Sequence, residues 1–181
     1  MMEKISIEGG KPLFGKVEIS GSKNSSLSIL ASCLLTDNKI SISGVPKLTD
    51  TFFFLELLSS FGVDIKGLNN FRNTKEFILS AAKITNNKAP YNLVKKMRAS
   101  ILVLGPLLAR TGRAIVSLPG GCSIGLRPVD IHLKSLEKLG AKIFIEKGYI
   151  YAEALKGLTG NKIIFPKVSV GATINVLMAA V

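Results

Sequence analysis

A mostly apolar segment of seven residues occurs three times in this chain at a constant interval. The three copies begin at Asn24, Arg98 and Ala172, and each lies 74 residues after the one before it. Each copy opens on small or polar residues and then becomes apolar on nearly all sides, which predicts a buried helix with a hydrophilic N-terminus. An internal repeat constrains the fold before any other signal, because equivalent units must pack in equivalent ways.

A second helical pattern recurs between the apolar segments. Leucines spaced three residues apart precede Gly62 and Gly140, where a glycine at the helix C-terminus is expected. Short strands are predicted around the helices at 5–8, 16–20, 39–43, 63–66, 76–80, 114–118, 141–146, 149–154 and 162–165. The unit is therefore strand, helix, strand, helix, strand, strand. Two units are visible, and a third begins near residue 162 and stops inside its first helix at Val181, which predicts a chain truncated in its third repeat.

The composition restricts the class of protein. With 47% hydrophobic residues in 181, the chain can bury the core of one domain. The longest apolar run, 101–109, is too short for a membrane span. Residues 1–11 lack the apolar stretch of a signal peptide, so we expect a cytoplasmic protein with no membrane partner. The net charge of +12 is scattered, which favours small anions or a solvated surface over nucleic acid.

The starts of the three apolar helices are candidate anion-binding positions. Equivalent helices in a repeat point the same way, so their N-termini should lie at one end of the domain. The residues at these starts are Lys23, Asn24, Arg98, Ser169, Val170 and Gly171. Helix N-termini carry free N–H groups and a positive dipole end, which suits phosphate or carboxylate. A solvated Lys23 and an Arg98 paired with a surface acid are the alternative interpretation, and the pattern leaves both open.

The most specific feature is the glycine-rich segment 120–132. Three glycines flank Cys122, as expected of a mobile loop that covers a substrate, and nearby cations would favour the thiolate. Asp130 is expected to cap the following helix. His132 is the only histidine, so no histidine metal cluster is predicted, and packing inside the helix is a sufficient role for it. Cys33 lies in an apolar stretch and is expected to be a buried core thiol.

Four motifs carry a resemblance that extends over the whole chain. They are Ser20-Gly21-Ser22-Lys23-Asn24, Met97-Arg98-Ala99-Ser100, Leu118-Pro119-Gly120-Gly121-Cys122 through Arg127-Pro128-Val129-Asp130, and Lys167-Val168-Ser169-Val170-Gly171-Ala172-Thr173. In this order and spacing they resemble the UDP-N-acetylglucosamine enolpyruvyl transferases. The fold class that this implies is α/β (α+β), an inside-out α/β barrel built of βαβαββ repeats, here truncated in the third repeat.

The resemblance also implies a domain organisation. Residues 1–21 would carry a strand that belongs to a second, mostly missing domain, and residues 22–181 would form an incomplete first domain. The chain would need that missing half, which supplies the base for the acceptor hydroxyl and another arginine. As given, the chain is therefore expected to be an inactive fragment.

The activity that the resemblance implies is transfer of the enolpyruvyl group of phosphoenolpyruvate to the 3-hydroxyl of UDP-N-acetylglucosamine, with release of phosphate. This would be the first committed step of peptidoglycan synthesis, with consequences for cell shape and division. The route is addition and then elimination through a tetrahedral intermediate. No metal or organic cofactor is implied, and the two substrates are the expected partners. We also expect sensitivity to fosfomycin, because Cys122 is present.

Individual roles follow from the match of each residue to the family's motifs. Cys122 is expected to protonate the methylene carbon of phosphoenolpyruvate as general acid. Lys23 and Arg127 are expected to hold the phosphoenolpyruvate anion, and Asn24 and Arg98 to make further substrate contacts. The residues expected to hold the uridine diphosphate part are Arg127, Pro128, Val129, Asp130, Ile131, Lys167, Val168, Ser169 and Val170.

Three other functions compete with this interpretation. The sister transferase that acts on shikimate 3-phosphate has a similar fold and a similar Gly-Ser-Lys turn, but the loop at Cys122 is not expected in it. A non-catalytic remnant that only binds a nucleotide sugar is the second alternative. A basic nucleic-acid binder is the third, and it predicts binding that weakens steeply with salt.

Overall fold

The computed structural model describes residues 4–95, 97–118 and 129–181, so Cys122, Arg127 and Pro128 lie outside the described residues. The helices are α1 (Lys23–Ala31), α2 (Thr49–Ser60), α3 (Tyr91–Val94), α4 (Leu104–Thr111), α5 (Asp130–Lys138) and α6 (Val170–Ala179). The strands are β1 (Lys39–Ser43), β2 (Asp64–Lys66), β3 (Glu76–Ser80), β4 (Lys88–Ala89), β5 (Arg113–Ser117), β6 (Lys142–Glu146) and β7 (Tyr149–Glu153). Short 3-10 helices cover Ser32–Leu35, Leu68–Asn70 and Arg98–Val103, and the last of these runs directly into α4. Across the described ranges, no helix has the length and apolar character needed to cross a membrane.

The strands form two sheets with the same internal order. The first sheet runs β1-β3-β2 and the second runs β4-β5-β7-β6. In both, the last strand of the unit lies between the two strands that precede it and is antiparallel to each. β4 extends the second sheet, parallel to β5. The shared order confirms the repeat that the sequence predicts, because each unit builds the same three-stranded antiparallel core.

The repeat extends to how α2 and α5 end. Gly62 and Gly140 follow the two helices with φ of 98° and 91°, a left-handed conformation that glycine adopts without steric cost. After each helix, the backbone N–H of a later threonine donates to the carbonyl of the helix-capping residue at 2.8 Å, from Thr85 in the first unit and Thr159 in the second. The predicted helix ends at Gly62 and Gly140 are therefore confirmed. The threonine hydrogen bond that follows each helix also recurs in both units.

One hydrophobic core joins the two units. Phe77 and Leu79 of β3, Val116 of β5 and Ile150 of β7 all point into it. They pack with the apolar sides of the helices in a single cluster of buried residues. Among the helices, α2 contacts β2, α4 contacts β5 and β7, and α5 contacts β6, whereas α1 and α6 pack mainly on other helices.

Within the described residues, three of the predicted strands do not form. The segments 5–8, 16–20 and 162–165 have neither helix nor strand conformation, although the bounds of the other strands agree within a few residues. Most of their isoleucines are exposed, with Ile5 at 91%, Ile19 at 95% and Ile164 at 69%, whereas Ile163 is partly buried against the core. An alternating pattern favours extended backbone, but a strand also needs a neighbour that accepts its hydrogen bonds. The assignment of residues 1–21 to a second domain stays a prediction.

Candidate functional site

Lys23 begins α1 and is held against α2. Ser22 caps the helix by accepting a hydrogen bond from the Ser25 N–H at 3.4 Å. The Lys23 Nζ lies 2.8 Å from Oδ2 of Asp50, in the first turn of α2, and both side chains are partly exposed. An ion pair this open to water contributes about 1 kcal/mol or less, so the ammonium can turn to an incoming anion at little cost.

The helix that Arg98 begins packs against both of the other repeated helices, α1 and α6. Arg98 is the first residue of the 3-10 helix Arg98–Val103 and is half-buried. Both α1 and α6 contact this 3-10 helix, so the three copies of the repeated segment form one bundle. Asn24, the second residue of α1, has an exposed side chain. The convergence of the three N-termini on one anion stays a prediction.

The start of α5 differs by one residue from the prediction. Val129 occupies the N-cap position and Asp130 is the first helical residue, so the expectation that Asp130 caps the helix is wrong. A carboxylate at the first helical position still interacts favourably with the positive end of the helix dipole. Asp130 is exposed, whereas Ile131 next to it is buried. Of this predicted diphosphate-binding segment, the structure places Val129, Asp130 and Ile131.

The start of α6 presents the other predicted nucleotide-binding segment. Ser169 caps the helix by accepting a hydrogen bond from the N–H of Ala172 at 3.3 Å. Lys167, Val168 and Val170, on either side of this cap, are exposed. A capped helix start with exposed neighbours is open to a ligand from solvent.

The first turns of α5 and α6 lie against each other. A Cβ atom built on Gly171 would lie 3.4 Å from Cε1 and 3.5 Å from Nε2 of His132, which is ordinary van der Waals contact. Two positive helix ends are therefore adjacent. This contact brings the segment that contains Asp130 next to the segment that contains Ser169, although 39 positions separate these two residues in the chain.

A buried polar pair behind these turns is not found by the sequence reasoning. Asn175 of α6 is fully buried, and its Nδ2 lies 3.1 Å from Nδ1 of His132 in α5. Because the amide nitrogen can only donate, Nδ1 accepts and the neutral ring carries its proton on Nε2. Burial lowers the pKa of His132, and the nearby Asp130 carboxylate opposes this shift. The signal that could have found the pair is an asparagine in the middle of an otherwise apolar helix.

A groove of about 500 Å³ opens at the start of α2, and the sequence did not predict it either. Phe52 and Phe71 form part of its wall, with ring centres 5.3 Å apart. The Nζ atom of Lys47 lies 5.2 Å from the Phe71 ring centre, and burial lowers the pKa of this lysine. The ion pair between Lys23 and Asp50 lies at the same end of α2. The groove is invisible in the sequence because separate segments supply its walls.

Comparison with known proteins gives consistent matches across the chain. Residues 7–181 match the family model described as EPSP synthase (3-phosphoshikimate 1-carboxyvinyltransferase). Relatives named UDP-N-acetylglucosamine 1-carboxyvinyltransferase are 51% identical in Caulobacter sp. (strain K31), 52% in Rhodospirillum centenum and 54% in Pelagibacter ubique. Each alignment covers 99% of this chain, but only 41%, 43% and 42% of the respective relative. The chain thus spans about two fifths of the length of these relatives.

Solved structures share the fold at lower sequence identity. The enolpyruvyl transferase NikO from Streptomyces tendae superposes with a TM-score of 0.76 over 94% of this chain and 39% of its own, at 21% identity. EPSP synthase from Acinetobacter baumannii gives a TM-score of 0.68 over 91% of this chain and 37% of its own, at 19% identity. The mixed α/β architecture is therefore that of enolpyruvyl transferases.

Proposed function

Because this chain belongs to the EPSP synthase (3-phosphoshikimate 1-carboxyvinyltransferase) family, we propose that it carries the phosphoenolpyruvate and nucleotide-sugar contacts of an enolpyruvyl transferase. The proposed reaction transfers the enolpyruvyl group of phosphoenolpyruvate to the 3-hydroxyl of UDP-N-acetylglucosamine and releases phosphate. One observation carries the choice of acceptor. The identity is about half over 99% of the chain with relatives named for UDP-N-acetylglucosamine, but 19% with an EPSP synthase.

The geometry supports a nucleotide site where α5 and α6 begin. Val129, Asp130 and Ile131 at one helix start, and Lys167, Val168, Ser169 and Val170 at the other, are the proposed contacts of the uridine diphosphate. The adjacent first turns bring their N–H groups and positive dipole ends to one place, as a diphosphate requires. Lys167 adds a cation at the same end of α6.

The phosphoenolpyruvate contacts rest on different grounds. We assign Lys23 to the anion, with Asn24 and Arg98 as further substrate contacts. The exposed ion pair of Lys23 with Asp50 supports this assignment, because it leaves the ammonium available to a second anion. The roles of Cys122, as general acid, and of Arg127, on the anion, rest on the sequence resemblance, since both lie outside the described residues.

Each step of the proposed reaction includes a proton transfer to or from a named atom. A proton added to the methylene carbon of phosphoenolpyruvate makes C2 electrophilic, and the acceptor hydroxyl loses its proton as its oxygen bonds to C2. Loss of phosphate and of a methyl proton then restores the double bond. The first step needs a general acid beside the methylene carbon, and such an acid works best when its pKa is close to the working pH. This is the role proposed for Cys122. Lys23 and Arg127 would stabilise the negative charges of the intermediate.

The acceptor test uses the native polypeptide that carries these residues, at the length the source cells make it. We expect phosphate release from phosphoenolpyruvate with UDP-N-acetylglucosamine and none with shikimate 3-phosphate. Cys122→Ala should abolish release while binding of UDP-N-acetylglucosamine survives, and Cys33→Ala serves as the matched thiol control. Release with shikimate 3-phosphate alone would overturn the choice of acceptor.

A binding module without turnover is the second candidate, and the share of the relatives that the chain covers favours it. The chain matches about two fifths of their length, so acid–base and closure functions can reside in the remainder. A native polypeptide that binds UDP-N-acetylglucosamine but releases no phosphate would establish this alternative.

The proposed biological setting is peptidoglycan synthesis in the cytoplasm. The free thiol of Cys33 suits such a reducing compartment.

A further inference from the structure

The side chain of Asn175 occupies a position that normally belongs to helix backbone. In a continuous α-helix the N–H of Gly105 would donate to the carbonyl of Ile101, four residues earlier. Here the Gly105 N–H donates to Oδ1 of Asn175 at 2.7 Å, and Nδ2 of Asn175 donates to the Ile101 carbonyl at 3.1 Å. The amide is thus inserted where the 3-10 helix changes into α4, a known cause of such a break.

The sequence of α4 is adapted to this insertion. Pro106 has no N–H and so cannot continue the hydrogen-bond ladder through this turn. Gly105 has no side chain, and a Cβ atom there would lie 2.3 Å from both the backbone oxygen and Oδ1 of Asn175. The close approach of α4 and α6 therefore depends on glycine at this position.

The second hydrogen of the same amide joins a third helix. Nδ2 also lies 3.1 Å from Nδ1 of His132, so both amide hydrogens and the amide oxygen of Asn175 have partners. One side chain thereby ties the break before α4, the middle of α6 and the first turn of α5. Since the Nδ1 atom of His132 accepts, its Nε2–H faces the first turn of α6 at Gly171.

We infer that Asn175, acting through His132, is a positioning residue that holds the first turns of α5 and α6 in the arrangement that binds the nucleotide diphosphate. The inference rests on the proposed function, which places the uridine diphosphate at these two turns. Neither side chain needs to touch the ligand. A buried and fully bonded amide specifies one arrangement of three helices, whereas apolar packing would tolerate small shifts between them.

The first test measures the affinity of the full-length native polypeptide for uridine diphosphate by calorimetry. Asn175→Leu keeps the approximate volume and removes all three hydrogen bonds, so the dissociation constant should rise about tenfold or more. Met178→Leu is the matched control, because Met178 is buried on the same helix without belonging to the hydrogen-bonded group. Unchanged affinity in Asn175→Leu would overturn the inference.

Variants at His132 separate positioning from general loss of structure. In His132→Asn the side-chain oxygen can replace Nδ1 as the acceptor for Asn175, whereas His132→Leu offers no acceptor. We expect His132→Asn to recover part of the affinity that His132→Leu loses. Equal affinities of the two variants would overturn the inference even if Asn175→Leu fails to fold.

A third measurement does not depend on the ligand. Long-range ¹H–¹⁵N spectra should show His132 as the neutral Nε2–H tautomer, with the signal identified by its loss in His132→Asn. In Asn175→Asp the carboxylate would face Nδ1, so the ring should become protonated or shift its proton to Nδ1. A wild-type protein that shows this tautomer but binds no uridine diphosphate would refute the proposed function. A wild-type protein that binds uridine diphosphate with the other tautomer would refute the positioning inference alone.

Discussion

At the scale of single residues, burial decides what the thiol of Cys33 can do. The side chain is 1% exposed, and burial raises its pKa to about 12. The prediction of a buried core thiol is confirmed. A thiol in this state has almost no thiolate at neutral pH and is inert to alkylation.

The first prediction follows from that burial. N-ethylmaleimide at pH 8 should leave Cys33 unmodified in the folded protein and should modify it after denaturation in guanidinium. Peptide mapping by mass spectrometry measures both states. A Cys122→Ser protein provides the control, since Cys33 is then the only thiol in this chain. Labelling of Cys33 at the same rate in folded and denatured protein would contradict the burial.

His132 predicts how stability depends on pH. Burial holds its pKa below the ordinary value of 6.5, so the unfolded chain binds the proton more readily than the folded chain. The stabilisation from this residue is complete above pH 6.5 and is lost as the pH falls through the lower pKa of the folded state. Protonation would also place an Nδ1–H against the amide of Asn175.

The measurement is the free energy of unfolding in urea between pH 5 and pH 8. Carboxylates also titrate at the acid end of this range, so the difference between wild type and His132→Asn isolates the contribution of the imidazole. We expect the wild type to lose more stability than the variant below pH 6.5. Parallel curves for the two proteins would show that the imidazole is not responsible.

At the scale of elements, the contact between α4 and α6 depends on Gly105. Gly105→Ala would place a methyl group 2.3 Å from the backbone oxygen of Asn175, so one of the two helices must move. Forced overpacking of this kind costs roughly 1–3 kcal/mol or more. The matched control is Gly160→Ala, because a Cβ atom there meets nothing within 4 Å.

The free energy of unfolding of both variants, measured in urea, tests this expectation. Gly160→Ala should lie within about 0.5 kcal/mol of wild type, as surface substitutions usually do. Gly105→Ala should also lower the affinity for uridine diphosphate, since it displaces the amide that bonds His132. Equal stability of the two variants would mean that α4 and α6 approach less closely than described.

At the scale of the whole molecule, the two units and α6 share one hydrophobic core, but the chain corresponds to only part of each relative. The chain spans 41% of the Caulobacter relative and 43% of the Rhodospirillum relative. We expect residues 1–181, expressed alone, to release no phosphate from phosphoenolpyruvate and UDP-N-acetylglucosamine. The family resemblance implies that the base for the acceptor hydroxyl lies outside these residues. Phosphate release by the purified 181-residue protein at a rate typical of enzymes would contradict this expectation.

The intact mass of the native polypeptide belongs with that assay. Mass spectrometry of the protein that carries the Cys122 loop in the source cells should be done first. A mass near 19.4 kDa would direct the search to a partner chain. A mass more than twice that value would place all the assigned roles in one polypeptide.

Much of the fold could be predicted from the sequence, because the same local pattern of apolar residues occurs three times. The interval of 74 residues located α1, the helix that Arg98 begins, and α6, and the glycines at 62 and 140 located the ends of α2 and α5. The bounds of β1, β2, β3, β5, β6 and β7 also follow from short-range patterns, whereas their register and their division into two sheets were not predicted. The four motifs also indicated the family, because they depend only on residue identity and order.

Contacts between distant segments could be decided only by the tertiary structure. No local pattern states that Asp50 meets Lys23, or that 5–8, 16–20 and 162–165 lack a strand neighbour, since pairing depends on what lies across a gap. The amide of Asn175 is the clearest case. Its residue type and position are plain in the sequence, but its three partners come from segments 43 and about 70 positions away. A buried polar group is stable only when its hydrogen bonds are satisfied, and the folded arrangement of three helices provides those partners.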